Sequence, residues 1–69
     1  MRTETNREGE TLAACVLRAF GKDAVAALSA NDEAFWRAKG YRRIGEIVYT
    51  RPWRGTRTLA VMAREENGR

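Results

Sequence analysis

The chain has 69 residues, a hydrophobic content of 43%, a formal net charge of +4, one cysteine and no histidine. This composition fits one small folded domain, excludes an internal disulfide and makes a structural zinc site improbable, because such sites use groups of Cys and His. No apolar run approaches the roughly 20 residues that cross a bilayer, and the N-terminus lacks the apolar segment of a signal peptide, so we expect a cytoplasmic protein without a membrane span.

The small size of the chain also predicts a partner. A chain of this length buries only about 60% of the surface that its unfolded form exposes, so it is marginally stable without a disulfide, a metal or another subunit. Since Cys15 is the only cysteine and no metal site is expected, association is the remaining means of stabilisation. We therefore expect a homodimer or a partner subunit.

The first third of the chain predicts a polar segment and a helix. Residues 1–8 are polar without a periodic pattern, so we expect a flexible N-terminal segment. Residues 10–20 have helical apolar spacing, and Gly21 is a suitable helix end. The apolar face of this helix is formed by Leu12, Val16, Ala19 and Phe20. Cys15 lies beside this face, and without a base to activate its thiol we interpret it as a core residue rather than a nucleophile.

Residues 24–29 form a short, continuously apolar run bounded by turn-forming residues. Such a run is typical of a strand in a sheet that is covered on both faces. Its alanine content gives a helix nearly equal weight on the residues alone.

The stretch 31–43 carries the signals of a second helix. Asn31 or Asp32 can cap its N-terminus with a side-chain oxygen, and Gly40 suits the left-handed position that ends a helix. The spacing of one apolar face is found at Ala34, Phe35 and Ala38.

Residues 41–50 and 57–64 predict two strands joined as a hairpin, with Pro52 and Gly55 in a longer loop between them. The segment 24–50 is then a right-handed strand-helix-strand crossover between parallel strands. On the residues alone, the sheet orders 1-3-2 and 1-2-3 are both allowed. The predicted fold is an α+β (α/β) domain over residues 9–65, in the order helix-strand-helix-strand-strand, with a three-stranded mixed sheet and a flexible tail over 66–69.

The stretch 31–43 also resembles the C-terminal motif of the GNAT N-acetyltransferase family. The family form is Asn, two residues, Ala, an aromatic pair, three residues, then Gly and an aromatic residue. Its positions are matched here by Asn31, Ala34, Phe35, Trp36, Gly40 and Tyr41. The resemblance implies the C-terminal half of a GNAT domain with the sheet order 1-3-2. The first strand then lies at an open edge, where a full domain would place another strand.

The GNAT family transfers an acyl group from acyl-coenzyme A to an amine, so the resemblance implies a site for acetyl-CoA or CoA. The implied cofactor-binding residues are Gly9, Thr11, Asn31, Phe35 and Trp36. Trp36 stands where the family has a tyrosine that can protonate the leaving thiolate, and the first half of a GNAT domain has no counterpart here. The resemblance therefore assigns no catalytic residue. It predicts an N-acetyltransferase-like domain that binds acyl-CoA only as an oligomer or with a partner, and that is not active alone.

The charge pattern supports a different function. Glu46 is the only acid in 37–57, a span that contains seven Lys and Arg residues. Such a stretch attracts an anionic ligand, such as a nucleotide phosphate or a nucleic-acid backbone. The corresponding candidate residues of a small basic nucleic-acid-binding module are Arg42, Arg43, Arg51, Trp53, Arg54 and Arg57, with Trp53 stacking on a base. The other interpretations are a solvated arginine-rich surface and a structural or regulatory half-domain that pairs with a partner through its open strand edge.

Overall fold

A computed structural model describes residues 2–64 of the chain, so the tail predicted over 66–69 lies outside the described residues. The elements in chain order are β1 (Arg2–Thr5), α1 (Leu12–Phe20), β2 (Ala24–Ala27), α2 (Ala30–Ala38), β3 (Tyr41–Arg51) and β4 (Gly55–Arg64). They form one mixed sheet in the order β1-β3-β4-β2. The α+β class is confirmed, and the three predicted strands have the order 1-3-2.

The N-terminal segment differs from the prediction. Residues 2–5, which we expected to be flexible, form β1, and β1 pairs in parallel with β3. The pairing depends on Gly45 of β3, where a Cβ atom would lie 2.5 Å from the Arg2 carbonyl oxygen and 2.7 Å from Cε1 of Phe20. Gly45, which is distant in sequence, thus leaves room for β1, and nothing in the pattern of residues 1–8 predicts this strand. Within residues 2–64 the sheet has four strands rather than the predicted three.

The two helices lie on opposite faces of the sheet. β1, β2 and β3 are mutually parallel, because β4 is antiparallel to both β2 and β3. The crossover through α1 runs from one edge to the other, and the crossover through α2 runs back, so right-handed connections place the helices on different faces. The N-termini of both helices and the turn between β3 and β4 consequently lie at one end of the sheet, called the turn end below.

Helix α1 and one face of the sheet form the main core. Cys15 and Val16 are buried against Ile47 and Val61, with Leu12 and Phe20 packed around them. The predicted apolar face of α1 and the core position of Cys15 are confirmed. Burial of each large apolar side chain contributes about 1.5–3 kcal/mol, so this cluster is the principal source of stability.

Helix α2 covers the other face more lightly than predicted. Its cap is Ser29, whose hydroxyl accepts the Asp32 N–H at 3.2 Å, rather than Asn31 or Asp32. The expected apolar face is wrong, since all three of its residues are exposed: Ala34, Phe35 and Ala38. The helix instead uses half-buried Trp36, whose ring centroid lies 4.8 Å from that of Tyr41. Ala27 and Ala60 line this sheet face beside α2, and Met62, which lies two residues beyond Ala60 and so on the same face, is fully buried.

The β3–β4 hairpin extends past the rest of the sheet at the turn end. Its projecting part, residues 49–59, is called the arm below. The hairpin pairs from Tyr41↔Arg64 to Arg51↔Gly55, but β1 flanks only residues 45–48 and β2 only residues 60–63. Asn6 fastens the base of this arm, because its side chain accepts the Thr50 N–H at 2.8 Å and donates to the Thr50 carbonyl at 2.9 Å. The predicted strands 41–50 and 57–64 are confirmed and are slightly longer than predicted.

Strand β2 lies at the edge of the sheet, as expected. The two ends of this edge are paired within the chain: the Ala24 N–H donates to the Gly21 carbonyl, and just after the strand the Leu28 N–H donates to the Asp32 carboxylate while the Leu28 carbonyl accepts from Arg57. Because outward-facing residues alternate along an edge strand, Ala26 is the β2 residue whose N–H and carbonyl face outward without such a partner among residues 2–64.

Neither α1 nor α2 is long and apolar enough to cross a bilayer.

Candidate nucleic-acid interface

The tip of the hairpin is a tight turn from Arg51 to Arg54. The Arg54 N–H donates to the Arg51 carbonyl at 3.2 Å. Pro52 occupies the second position, where its fixed φ is favourable, and Trp53 occupies the third with φ +69°. This is the pattern of a type II turn, in which the third position favours glycine or asparagine. A left-handed backbone at a bulky residue costs about 1–2 kcal/mol, so turn stability does not explain tryptophan at this position.

The Trp53 side chain is fully exposed, although it is the largest apolar surface in the arm. Other aromatic residues of the chain have partners: Phe35 and Trp36 pack edge to face at 5.2 Å, and Trp36 also contacts Tyr41. An indole held in solvent at the end of a projecting arm is a free stacking surface. Aromatic groups in such a position stack on unpaired bases in single-strand-binding proteins.

The arginines of the arm are not neutralised by the described residues. In the same basic span, Arg37 is paired with Glu33 and Arg43 with Glu46, both at 2.9 Å. Within residues 2–64 no carboxylate lies within 4.0 Å of the guanidinium groups of Arg51, Arg54 and Arg57. The dipoles of two helix N-termini add positive potential at this end of the sheet. The arm therefore presents uncompensated positive charge around an exposed indole.

The structure divides the six predicted nucleic-acid residues into two groups. Arg51, Trp53, Arg54 and Arg57 lie together at the turn end. Arg42 and Arg43 lie at the opposite end of β3, where Arg42 pairs with Ala63. Arg51 lies nine residues further along β3 than Arg42, a distance of about 30 Å at the rise of a β-strand. The basic residues that follow one another in the sequence thus do not form one continuous surface; only those of the arm lie together.

Two clefts flank the arm on the α1 side. Arg51, Arg54 and Arg57 line the first together with Leu12, Leu28, Tyr49 and Leu59. The second lies beside Trp53 and includes Asn6, Gly9, Thr11 and Pro52. Tyr49 and Arg51 line both clefts. Sequence patterns did not single out Asn6, Leu12, Leu28, Tyr49 or Leu59 as site residues, because each joins the arm only through a contact between distant segments.

The five predicted cofactor residues do not converge. Gly9 and Thr11 line the cleft beside Trp53, whereas Asn31, Phe35 and Trp36 belong to α2 on the opposite face of the sheet. Phe35 is 53% exposed and contacts Lys39 rather than a cavity, with the ammonium 5.1 Å from its ring centroid. Asn31 is exposed in the first turn of α2. No described cleft joins residues of the two groups.

The loop before α1, which contains the predicted cofactor residues Gly9 and Thr11, also contains the carboxylate of Glu10. The Glu10 carboxylate accepts the Arg7 N–H at 2.8 Å and forms an ion pair with Arg18 at 2.8 Å. The hydrogen bond from Arg18, with that from the Arg7 backbone, lowers the pKa of Glu10 to about 2. The Thr11 hydroxyl accepts the Ala14 N–H. Side chains of the loop thus satisfy donors that a pyrophosphate would otherwise use.

Cys15 and the acidic residues offer no alternative chemistry in the described part of the chain. Cys15 is fully buried, and desolvation raises the pKa of its thiol, which disfavours the nucleophilic thiolate. Residues 2–64 contain no group of three or more Cys, Asp or Glu side chains placed to hold a metal ion.

Comparison with protein-family models, with curated proteins and with solved structures finds no match to this chain. The resemblance to the GNAT family therefore stays a prediction. The functional interpretation depends on the geometry of the arm and its clefts.

Proposed function

We propose that the chain binds single-stranded nucleic acid through the tip of the β3–β4 hairpin. The observation that carries the proposal is the exposed indole of Trp53 in an unfavourable turn conformation, flanked by arginines without carboxylate partners among the described residues. A residue that costs stability and packs against nothing is a sign of a binding role. Stacking on Trp53 and phosphate contacts from Arg51 and Arg54 are the interactions of this mode.

An unpaired strand fits this surface better than a duplex. A base must leave its stack to lie against an indole face, and the bases of a single strand are free to do so. Contact through stacking and phosphate charge carries little base specificity, since every base has a stacking face. The proposal is thus a sequence-tolerant binding module rather than a reader of one sequence.

Fluorescence anisotropy with labelled single-stranded oligonucleotides tests the proposal through two matched pairs of variants. Arg54→Ala and Arg42→Ala each remove one exposed arginine, at the tip and at the far end of β3 respectively. Trp53→Ala and Phe35→Ala each remove an exposed aromatic ring. We expect the tip variants to weaken binding about tenfold, because one stacked base contributes about 1–3 kcal/mol, and the distant variants to bind like the parent chain. Equal losses within each pair would indicate nonspecific attraction to a basic protein.

Acyl-CoA binding is the alternative proposal, taken from the GNAT resemblance. The 1-3-2 strand order is compatible with it, but β1 lies beside β3 rather than beside β2, where a full GNAT domain would place a further strand. The occupied loop at Glu10 and the separation of the candidate residues also give it less support. A rise in melting temperature with CoA or acetyl-CoA tests it, because a ligand that binds only the native state must stabilise that state.

We also propose that a second copy or a partner subunit pairs with the edge of β2. The outward backbone groups of Ala26 support this proposal, as does the small core. Ala26→Pro removes the N–H that faces away from β4, a substitution that an edge strand tolerates. We expect the parent chain to have a dimer mass in solution and the variant to be monomeric with its melting transition retained. A monomeric parent chain contradicts self-association.

A further inference from the structure

The first cleft beside the arm has the composition of a nucleotide pocket. It encloses about 450 Å³ between the N-terminus of α1, the end of β2 and the hairpin. Its apolar floor is formed by Leu12, Leu28, Tyr49 and Leu59, and its rim by Arg51, Arg54 and Arg57. An apolar floor with a few convergent polar groups is the usual composition of a small-ligand site. Here the convergent groups are all cationic.

The floor of the cleft is fixed by the core. Leu59 is only 4% exposed and belongs to the packed sheet, whereas Leu28, the part of the floor nearest the opening, is 48% exposed. The Tyr49 hydroxyl donates to the Glu10 carbonyl at 3.3 Å, which holds the ring as a wall between α1 and the hairpin. A planar apolar ligand entering the cleft therefore covers Leu28 without displacing a core side chain.

Arg57 fixes the rim and still has donors to offer. One of its terminal nitrogens donates to the Leu28 carbonyl at 2.8 Å, which ties the hairpin to the end of β2. A guanidinium has five N–H donors in a planar fork, so the remaining donors are available for a phosphate. Arg57 thus both positions the cleft and contributes to its charge.

Arg51 connects this cleft with Trp53, since it lines both the arginine-rimmed cleft and the cleft beside the indole. A nucleic-acid strand that crosses Arg51 passes from the stacking surface directly into the arginine-rimmed cleft. Its phosphate at the crossing meets a guanidinium, and the bases on either side meet apolar surfaces.

On the basis of the nucleic-acid function above, we propose that the arginine-rimmed cleft takes the nucleotide next to the one that stacks on Trp53. The base lies over Leu12 and Leu28, and its phosphate is held by Arg54 and Arg57. A free inorganic anion uses only the rim, and an apolar ligand uses only the floor. A nucleotide uses both, which is why it is the ligand class that this cleft fits.

The test fills the cleft and compares the result with the same substitution outside it. Leu28→Phe adds bulk at the opening, and Leu17→Phe adds the same bulk at a residue of α1 that is 59% exposed and does not line this cleft. Both are titrated with labelled oligothymidylates of about six nucleotides. We expect Leu28→Phe to bind about tenfold more weakly, the value of one lost base contact, and Leu17→Phe to bind like the parent chain. Quenching of tryptophan fluorescence at saturation, compared with Trp53→Ala in which Trp36 alone remains, is retained in both.

The outcomes separate the cleft from the function on which it depends. Parent-like affinity in Leu28→Phe, together with weak binding by Trp53→Ala, means that the tip binds nucleic acid and the cleft does not. Absence of quenching in the parent chain overturns the function and the cleft together. If Leu28→Phe loses its melting transition, Leu28→Gln replaces it, because it removes the apolar floor without added bulk. For Leu28→Gln, the expected loss of affinity and the result that contradicts the proposal are those given for Leu28→Phe.

Discussion

Trp53 is the residue at which local stability and the proposed function oppose each other. Its φ of +69° at the third position of the turn suits glycine. We predict that Trp53→Gly raises the free energy of unfolding by about 1 kcal/mol, because the left-handed strain is relieved, and weakens oligonucleotide binding about tenfold. Denaturant unfolding and anisotropy on the same preparation measure both effects.

The matched control for this prediction is Trp53→Ala, which removes the indole but keeps a Cβ in the left-handed conformation. It should lose binding without the gain in stability. A Trp53→Gly variant that binds as well as the parent chain contradicts the role of the indole, whatever its stability.

Glu10 is the residue that gives the fold a defined acid sensitivity. Its pKa is lowered from 4.5 to about 2 by the hydrogen bond from Arg18 and by the Arg7 N–H. A carboxyl group with a depressed folded-state pKa stabilises the fold above its unfolded pKa, and this contribution is lost as the pH falls through the folded pKa. We predict a fall in melting temperature between about pH 4.5 and pH 2 that is smaller in Glu10→Gln.

Circular dichroism melts across this pH range measure the effect. Glu8→Gln removes the same charge from an exposed residue of the loop and serves as the control. If the pH profiles of Glu10→Gln and the parent chain are parallel, the ion pair with Arg18 does not contribute to acid stability.

At the scale of elements, β1 depends on a glycine in its partner strand. Gly45 is buried, and a side chain there would meet the backbone of Arg2 and the ring of Phe20. We predict that Gly45→Ala destabilises the protein by about 2 kcal/mol, in the range of an overpacked core, and exposes the amides of residues 2–5 to hydrogen exchange. Thr58→Ala, on the exposed part of β4, is the control. Unchanged protection in 2–5 contradicts the close packing of β1 on Gly45.

The elements also show which parts of the fold a sequence can reveal. α1, β3 and β4 were predictable because apolar spacing, Gly21 and the Pro52–Gly55 turn are local signals. β1 was missed because its four residues become a strand only against Gly45. The predicted face of α2 was wrong because its Phe35 remains at the surface, while Trp36 packs against Tyr41 at the start of β3. Spacing identifies the period of an element but not the neighbour that it meets.

The candidate site was predictable only in part, for the same reason. The arginines and Trp53 of the hairpin stand out in the sequence as a basic, aromatic loop. Arg42 and Arg43 belong to the same run of charge, and only the length of β3 separates them from the tip. The leucines of the cleft carry no signal of function, since an apolar residue in a helix or strand is ordinarily part of the core.

At the scale of the whole molecule, the described residues separate the apolar core, the open strand edge and the basic tip. The core lies between α1 and the sheet, the edge of β2 retains one outward pair of backbone groups at Ala26, and uncompensated positive charge gathers at the turn end. A projecting arm reaches a ligand without disturbing the small core behind it. This division explains how a chain of 69 residues can hold a strained residue at its tip and remain folded.

The most direct measurement is a titration of single-stranded oligonucleotide into the parent chain at several salt concentrations, monitored by tryptophan fluorescence and anisotropy, with Trp53→Ala as the reference for the Trp36 signal. We predict saturable quenching and a logarithmic slope of affinity against salt of about −2, the value for three phosphate contacts that each release about 0.7 counterion. Arg54→Ala should reduce the magnitude of the slope by about 0.7, the value of one phosphate contact, and Arg42→Ala should leave the slope unchanged. Absence of saturable binding at low salt, or an equal effect of the two substitutions, contradicts binding at the hairpin tip.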